Sequence, residues 1–159
     1  MSLRIIPPFG SIVSHTFRCK TLADVAKEIE AFPPNYKAAW NKPKWEHSFD
    51  PNTMEQNLTL KLILAMPVWK NSNRPQKERD EWLRVYKVLY IHEKGHLKIY
   101  TDEAKHMYSK LVTGKTQKEI TSIYNSELKR IYNKQKQYDI TTDHGRKQEC
   151  EYGNTTINY

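Results

Sequence analysis

Only two cysteines occur in the chain, Cys19 and Cys150, one near each end. Neither has a partner at metal-ligand spacing, which excludes a cysteine-built zinc site; they form one bridge between the two ends or stay free thiols. No apolar run is long enough to cross a bilayer, and the N-terminus has no signal-peptide hydrophobic region. There is no internal repeat, no low-complexity segment and no recognised nucleic-acid motif. The net charge of +8 invites an acidic partner, but the bases run from Arg4 to Lys147 without a dense arm, so a solvated lysine-rich surface accounts for them and nucleic acid is not expected as a partner. With 38% hydrophobic and 11% aromatic residues, the 159-residue chain is rich enough in apolar side chains to bury a core, and is read as a single domain, 1–159, with its core over about 11–150.

What is present is His92-Glu93-Lys94-Gly95-His96, an H-E-x-x-H pattern. Positions four apart on a helix lie one above the other, so both imidazoles can reach one ion and Glu93 flanks it. Imidazole nitrogens suit Zn2+, and a carboxylate beside the metal can accept the proton of an attacking water. The composition leads to about 0.02 chance matches in a chain of this length. Context strengthens the motif. Trp82, Val85, Tyr86 and Leu89 continue the face of His92, Glu93 and His96 at steps of three and four, so an apolar face carries the motif inward.

Before this helix the chain alternates. Residues 1–10, with Pro7, Pro8 and Gly10, form an extended entry; SIVSHTFRCK (11–20) reads as a strand. Thr21 caps a short helix, TLADVAKEIEAF, with Asp24 at the capping-box position and Pro33-Pro34 as its stop. Tyr36–Trp40 and Lys44–Phe49 alternate on either side of a break at Pro43, and NLTLKLILAM (57–66) is a half-buried strand. Segments of this kind suggest a small antiparallel sheet with meander connections. KNSNRP (70–75) is a polar loop, a long helix follows over about 76–111, and Gly114 turns the chain into a second helix from Thr116 to about Gln137. Gly95 costs that first helix about 1 kcal/mol relative to alanine unless a close neighbour requires it. From Tyr138 the tail reads as irregular, with GNTTINY fraying at the end. The expected fold is α+β: a small antiparallel sheet and one short helix beside two long helices, the first carrying the motif.

A catalytic zinc needs a third protein ligand. Asp102 has the metzincin spacing but Ile99 stands where that turn needs glycine, and Glu103 and His106 lie about 10–15 Å along the axis. His15 and His47 fall in strands. Glu119 and Glu127 on the following helix, or His144 in the distal loop, remain.

Several pieces together resemble a known family: Trp40 before a strand, the stretch ending M-P-V-W at Trp69, Trp82 ten residues before H-E-x-x-H with Gly95, and Y-D-x-x-T-x-H-G over Tyr138–Gly145. In these the chain resembles, over about residues 12–150, the bacterial domain-of-unknown-function family 922, described as predicted secreted zinc-dependent proteases. It departs from that pattern in having no cysteine in the strand before M-P-V-W. The resemblance implies a zinc metallopeptidase, secreted or periplasmic, acting on a protein or peptide. It implies His144 as the third ligand beside His92 and His96, Glu93 as general base, Tyr138 as a hydrogen-bond donor to the oxyanion, and Asp139 as a carboxylate orienting an imidazole. Secretion would favour a Cys19–Cys150 bridge. The rival class is a zinc-stabilised, non-catalytic binding module at the cell envelope.

Overall fold

The computed structural model describes residues 2–33, 37–71, 73–148 and 150–158. Pro34, Tyr36, Ser72 and Tyr159, which figure in the readings above, lie outside these. The elements run β1 (Ser2–Ile6), β2 (Ile12–Phe17), α1 (Leu22–Glu30), β3 (Trp40–Asp50), β4 (Glu55–Trp69), α2 (Gln76–Leu111) and α3 (Gln117–Thr142).

The fold is α+β, and β4 is its spine. Its alternate residues Gln56, Leu58, Leu60, Leu62, Leu64 and Met66 are buried, the period-2 signature of a strand with one covered face. β3 pairs with it antiparallel, Trp40 opposite Ala65 through Asp50 opposite Glu55. On the other side β1 runs parallel to residues 57–61 and β2 parallel to residues 65–69, with an irregularity between Val13 and Thr16. The sheet is therefore mixed, which corrects the antiparallel meander. Alternation is the same for either strand direction; β2 and β4 run the same way because the chain reverses twice between them, once through α1 into β3 and again at the β3–β4 turn. Pro43 does not divide the second segment either: β3 continues through it, opposite Leu62, because β3 is an outer strand and can lack one ladder donor. Residues 2–6, read as an extended entry, form β1.

Two long helices cover the β4 face. α2 has 36 residues, about 54 Å of helix. It buries Trp82, Val85, Val88, Ala104, Met107 and Leu111 along with the polar motif. α3 opens with a full capping box between Thr116 and Glu119 and packs Ile120 and Ile131 against Leu58, Met107 and Leu111. Cross-ties fix their ends. Gln56 Nε2 donates to the Leu111 carbonyl at 2.8 Å, satisfying a terminal acceptor of α2. The Leu22 amide donates to Glu78 at 2.7 Å, tying α1 to the first turn of α2. Phe17, Leu22, Val25, Trp69 and Trp82 form a second core under α1.

Three further expectations change. α3 does not stop near Gln137 but continues to Thr142, so Tyr138, Asp139 and Thr142 are helical. The tail is not frayed over its described part: Arg84 donates to the carbonyls of Tyr152, Asn154 and Thr156, Glu81 accepts from the Asn158 amide, and Ile157 packs on the α1 core. Cys19 and Cys150 are both free thiols. Cys19 donates to Glu28 and Cys150 to the Gly153 carbonyl, so each is already committed locally. Among the described residues, no helix is long and apolar enough to cross a membrane.

Candidate metal centre

The helical spacing of the motif is realised. His92, Glu93 and His96 are 3%, 4% and 6% exposed, facing the interior between α2, α3 and β3. The Nε2 atoms of His92 and His96 stand 3.2 Å apart. Asp139, one turn from the end of α3, places Oδ1 2.9 Å from His96 Nε2 and 3.3 Å from His92 Nε2. The three atoms form the one His/Cys/Asp/Glu group of metal-binding compactness among the described residues. A tetrahedral ion with bonds of about 2.0–2.1 Å needs ligand atoms about 3.3 Å apart, which these separations approach. His92, His96 and Asp139 are thus a group that can hold a metal ion.

The outer nitrogens decide which way the imidazoles present their lone pairs. Gln135 donates its amide to the His96 carbonyl at 3.1 Å, so its Oε1 faces His96 Nδ1 and accepts from it. Thr142 donates its hydroxyl to the Tyr138 carbonyl at 2.8 Å, so its Oγ1 accepts from His92 Nδ1, 3.3 Å away. With both Nδ1 atoms acting as donors, the neutral rings turn both Nε2 lone pairs toward Asp139 Oδ1. Three electron-rich atoms converge on one point, and only a proton or a metal cation can relieve that arrangement. The electrostatics agree. In the metal-free site that cation is a proton on Nε2: burial opposes ionisation of Asp139, but hydrogen bonds from the imidazoles of His92 and His96 so protonated, and from Lys37, outweigh it and hold the carboxyl far below the usual range. Burial likewise pushes His96 down, yet the bonds to Asp139 and Gln135 prevail and its pKa is raised. Lys37 Nζ sits 2.8 Å from the second oxygen of Asp139, leaving Oδ1 for the cluster.

Glu93 is held from the sheet. Asn41, second residue of β3, donates to its Oε2 and so fixes the carboxylate beside His92 and His96. Gly95 answers to Tyr138: a Cβ at position 95 would lie 2.1 Å from the Tyr138 hydroxyl oxygen and 2.5 Å from Cζ. The Tyr138 ring stacks on His92 at 5.2 Å and meets His96 edge-on at 4.8 Å. Its hydroxyl donates to Gln148 at 3.1 Å. Its place is therefore that of a wedge that fixes both imidazoles, with the hydroxyl turned to a partner other than the cluster.

His144 lies next to the group without entering it. Its Nδ1 is 3.4 Å from Asp139 Oδ1 and its side chain is 62% exposed. The turn that carries it is unusual: Asp143, His144 and Gly145 have φ of 48°, 52° and 90°, three consecutive left-handed residues. At Gly145 an added Cβ would meet Thr155 of the tail at 2.9 Å and the His92 side chain at 3.5 Å, so the turn passes close over the motif. The other acids considered for the third position lie elsewhere. Glu119 closes the α3 capping box, Glu127 pairs with Arg130, and Glu103 pairs with Lys134 and Arg130. His15 bonds Glu28 and His47 stacks on Tyr124.

Asn41 and Gln135 have no place in the sequence reading, which has Thr142 only as part of the distal motif and Asp139 as a carboxylate orienting an imidazole; the structure puts Asp139 against both imidazoles, where it can also take part in holding an ion. A signal existed: 131, 135, 139 and 142 continue the buried stripe of α3 at steps of four and three. Asn41, from a different element, has no such pattern. Neither the curated proteins nor the solved structures contain a match to the chain. One family does match, over residues 13–145, a span that holds the motif, Asp139 and the left-handed turn. On that match the chain belongs to the family described as bacterial protein of unknown function (DUF922).

Proposed function

We propose that this protein is a zinc-dependent metallopeptidase in which His92, His96 and Asp139 hold the ion and Glu93 is the general base. The observation that carries the reading is the pair of lone-pair-bearing Nε2 atoms converging with a carboxylate oxygen, beside a buried glutamate with one oxygen tied back. Two imidazoles and one carboxylate are a familiar donor set for catalytic rather than structural zinc, since a fourth position stays open. Bound zinc supplies Lewis-acid chemistry there, acidifying a coordinated water and polarising a carbonyl.

The residues of the chain do the rest. Gln135 and Thr142 fix the imidazole tautomers, and Lys37 fixes which oxygen of Asp139 turns inward. Asn41 anchors Glu93 through Oε2 so that Oε1 can take a proton from the attacking water. As water adds to the peptide carbonyl carbon and the C–N bond breaks, Glu93 passes that proton to the departing amine nitrogen. His144, which the family resemblance suggests as a ligand, stands on the exposed side next to Asp139 and is the next donor outward, placed to bond substrate. The substrate class is a protein or peptide, and secretion to the periplasm or cell surface accords with the family resemblance.

Zinc-loaded protein incubated with a mixture of peptides, read by mass spectrometry, tests the proposal. Glu93→Gln is expected to retain one equivalent of zinc and lose cleavage by about a hundredfold or more. Wild type that holds zinc and cleaves nothing overturns the enzymatic reading in favour of a binding module.

A further inference from the structure

On the other side of α2 lies a surface that the metal centre does not use. The turn between β1 and β2 reads Pro7-Pro8-Phe9-Gly10-Ser11. Phe9 at its tip is completely exposed, at 108% of the reference area, so it packs on nothing. Pro7 and Pro8 stiffen the approach and Gly10, at φ 71°, makes the bend. Pro8 and Gly10, the neighbours of Phe9, line a groove of about 590 Å³ whose floor is Leu62, Leu64 and Leu97 and whose far wall is Tyr90, Lys94 and Lys98 of α2.

The exposed residues of α2 between positions 83 and 105 are Leu83, Tyr90, Lys94, Lys98, Asp102 and Lys105. They recur at steps of three, four and seven and so form one stripe. Three are cationic, two apolar and one acidic, and that acid is already bonded to Lys98. Lys94 Nζ lies 5.5 Å from the Tyr90 ring centroid. At about 100° per residue, Tyr90, Lys94 and Lys98 sit roughly half a turn around the helix from His92 and His96. A body resting on this stripe leaves the metal-binding group accessible.

We propose that this face is a peripheral docking surface for an anionic lipid bilayer. Phe9 enters the boundary between headgroups and acyl chains, Tyr90 sits at headgroup level, and Lys94, Lys98 and Lys105 meet the acidic headgroups. Charge complementarity selects this occupant: the stripe is cationic, and the chain as a whole carries +8. The shape selects it too. A lone aromatic at the tip of a proline-stiffened turn presents little contiguous area to a folded partner, whereas a fluid bilayer closes around a single wedge. The wedge lies before the family-matched span, 13–145, and the lysine stripe within it. The inference is independent of the zinc reading and holds with or without metal.

Co-sedimentation of the full chain with vesicles tests it. One set is phosphatidylcholine alone; the other contains three parts in ten phosphatidylglycerol. Partition onto the anionic vesicles is expected to be at least about tenfold stronger, and to weaken as salt rises. Phe9→Ser is expected to lower that partition about tenfold while leaving the circular dichroism and melting temperature as they were, because Phe9 touches nothing in the fold. Lys94→Gln with Lys98→Gln is expected to flatten the salt dependence. Equal partition onto both vesicle sets overturns the proposal. So does undiminished binding by Phe9→Ser, which leaves only general charge attraction. Retention on immobilised heparin with no vesicle binding overturns it in favour of a soluble polyanion.

Discussion

Replacing Gly95 by alanine should destabilise this protein, although the same change at an ordinary helix position stabilises it. Alanine is favoured over glycine inside a helix by about 1 kcal/mol. Here the new methyl would fall 2.1 Å from the Tyr138 hydroxyl oxygen, 2.5 Å from Cζ and 3.0 Å from Cε1. Carbon–carbon contacts settle at about 3.5–4.0 Å, so the ring must retreat by more than about 1 Å. It has little room to do so. It lies against His92 and His96, and its hydroxyl is bonded to Gln148. Overpacking of this kind costs about 1–3 kcal/mol. With three close contacts the upper part of that range applies, and subtracting the propensity gain leaves a net loss of about 1–2 kcal/mol. For a chain of this length that lowers the melting temperature by roughly 3–6 °C. Zinc affinity should fall as well, because the ring that moves is the one stacked on His92. Differential scanning calorimetry and a competitive zinc titration measure the two effects. Tyr138→Ala in the Gly95→Ala background provides the internal control: the coupling energy should be favourable, since the second change removes the obstacle. A Gly95→Ala protein that melts higher than wild type and binds zinc equally well would refute the wedge role of Tyr138.

Further expectations follow from the same geometry. Asp139→Asn is expected to weaken zinc binding by two or more orders of magnitude, whereas His144→Ala retains the ion and loses turnover; an anomalous zinc peak about 2.0–2.1 Å from a nitrogen of His144, with Asp139 remote, would reverse that assignment. Arg84→Ala frees three carbonyls and breaks the pair with Glu81, so residues 150–158 should become sensitive to limited proteolysis, with a stability loss of roughly 2 kcal/mol; unchanged protection would contradict the tail clamp. In metal-free protein, the raised pKa of His96 stabilises the fold fully below its ordinary value of 6.5, a contribution lost as pH rises through the elevated folded-state value. Asp139 acts in the opposite sense, its contribution being present above its ordinary 3.8 and lost only as pH falls through its far lower folded-state value. The melting temperature under chelation should therefore decline from about pH 6.5 upward, and zinc affinity should rise over the same interval as His96 releases its proton; a flat chelated profile would count against the His96–Asp139 pair.

Local pattern was enough for much of this protein. The i, i+4 histidines, the apolar face leading to them from Trp82, the Thr21 and Thr116 caps and the alternation of β4 are all short-range features, set by helix and strand periodicity, and the structure displays each of them. α2 runs over the residues its periodicity marks, Gln76–Leu111. Long-range partners were not legible. Strand direction leaves no trace in alternation, so the parallel pairing of β1 and β2 with β4 appears only in the assembled sheet. The last turn of α3 is weak in intrinsic helix propensity, with Asp139, Ile140, Thr141 and Thr142 in succession, and is held by packing against the motif. That extra turn is what carries Asp139 over His92 and His96 and Thr142 under His92. Asn41 reaches Glu93 from 52 residues away because β3 borders α2, a contact no spacing rule encodes. The sequence by itself determined that two imidazoles and a carboxylate would share one helix face; the tertiary structure decided which residues surround them, because donors to a metal group need only meet in space.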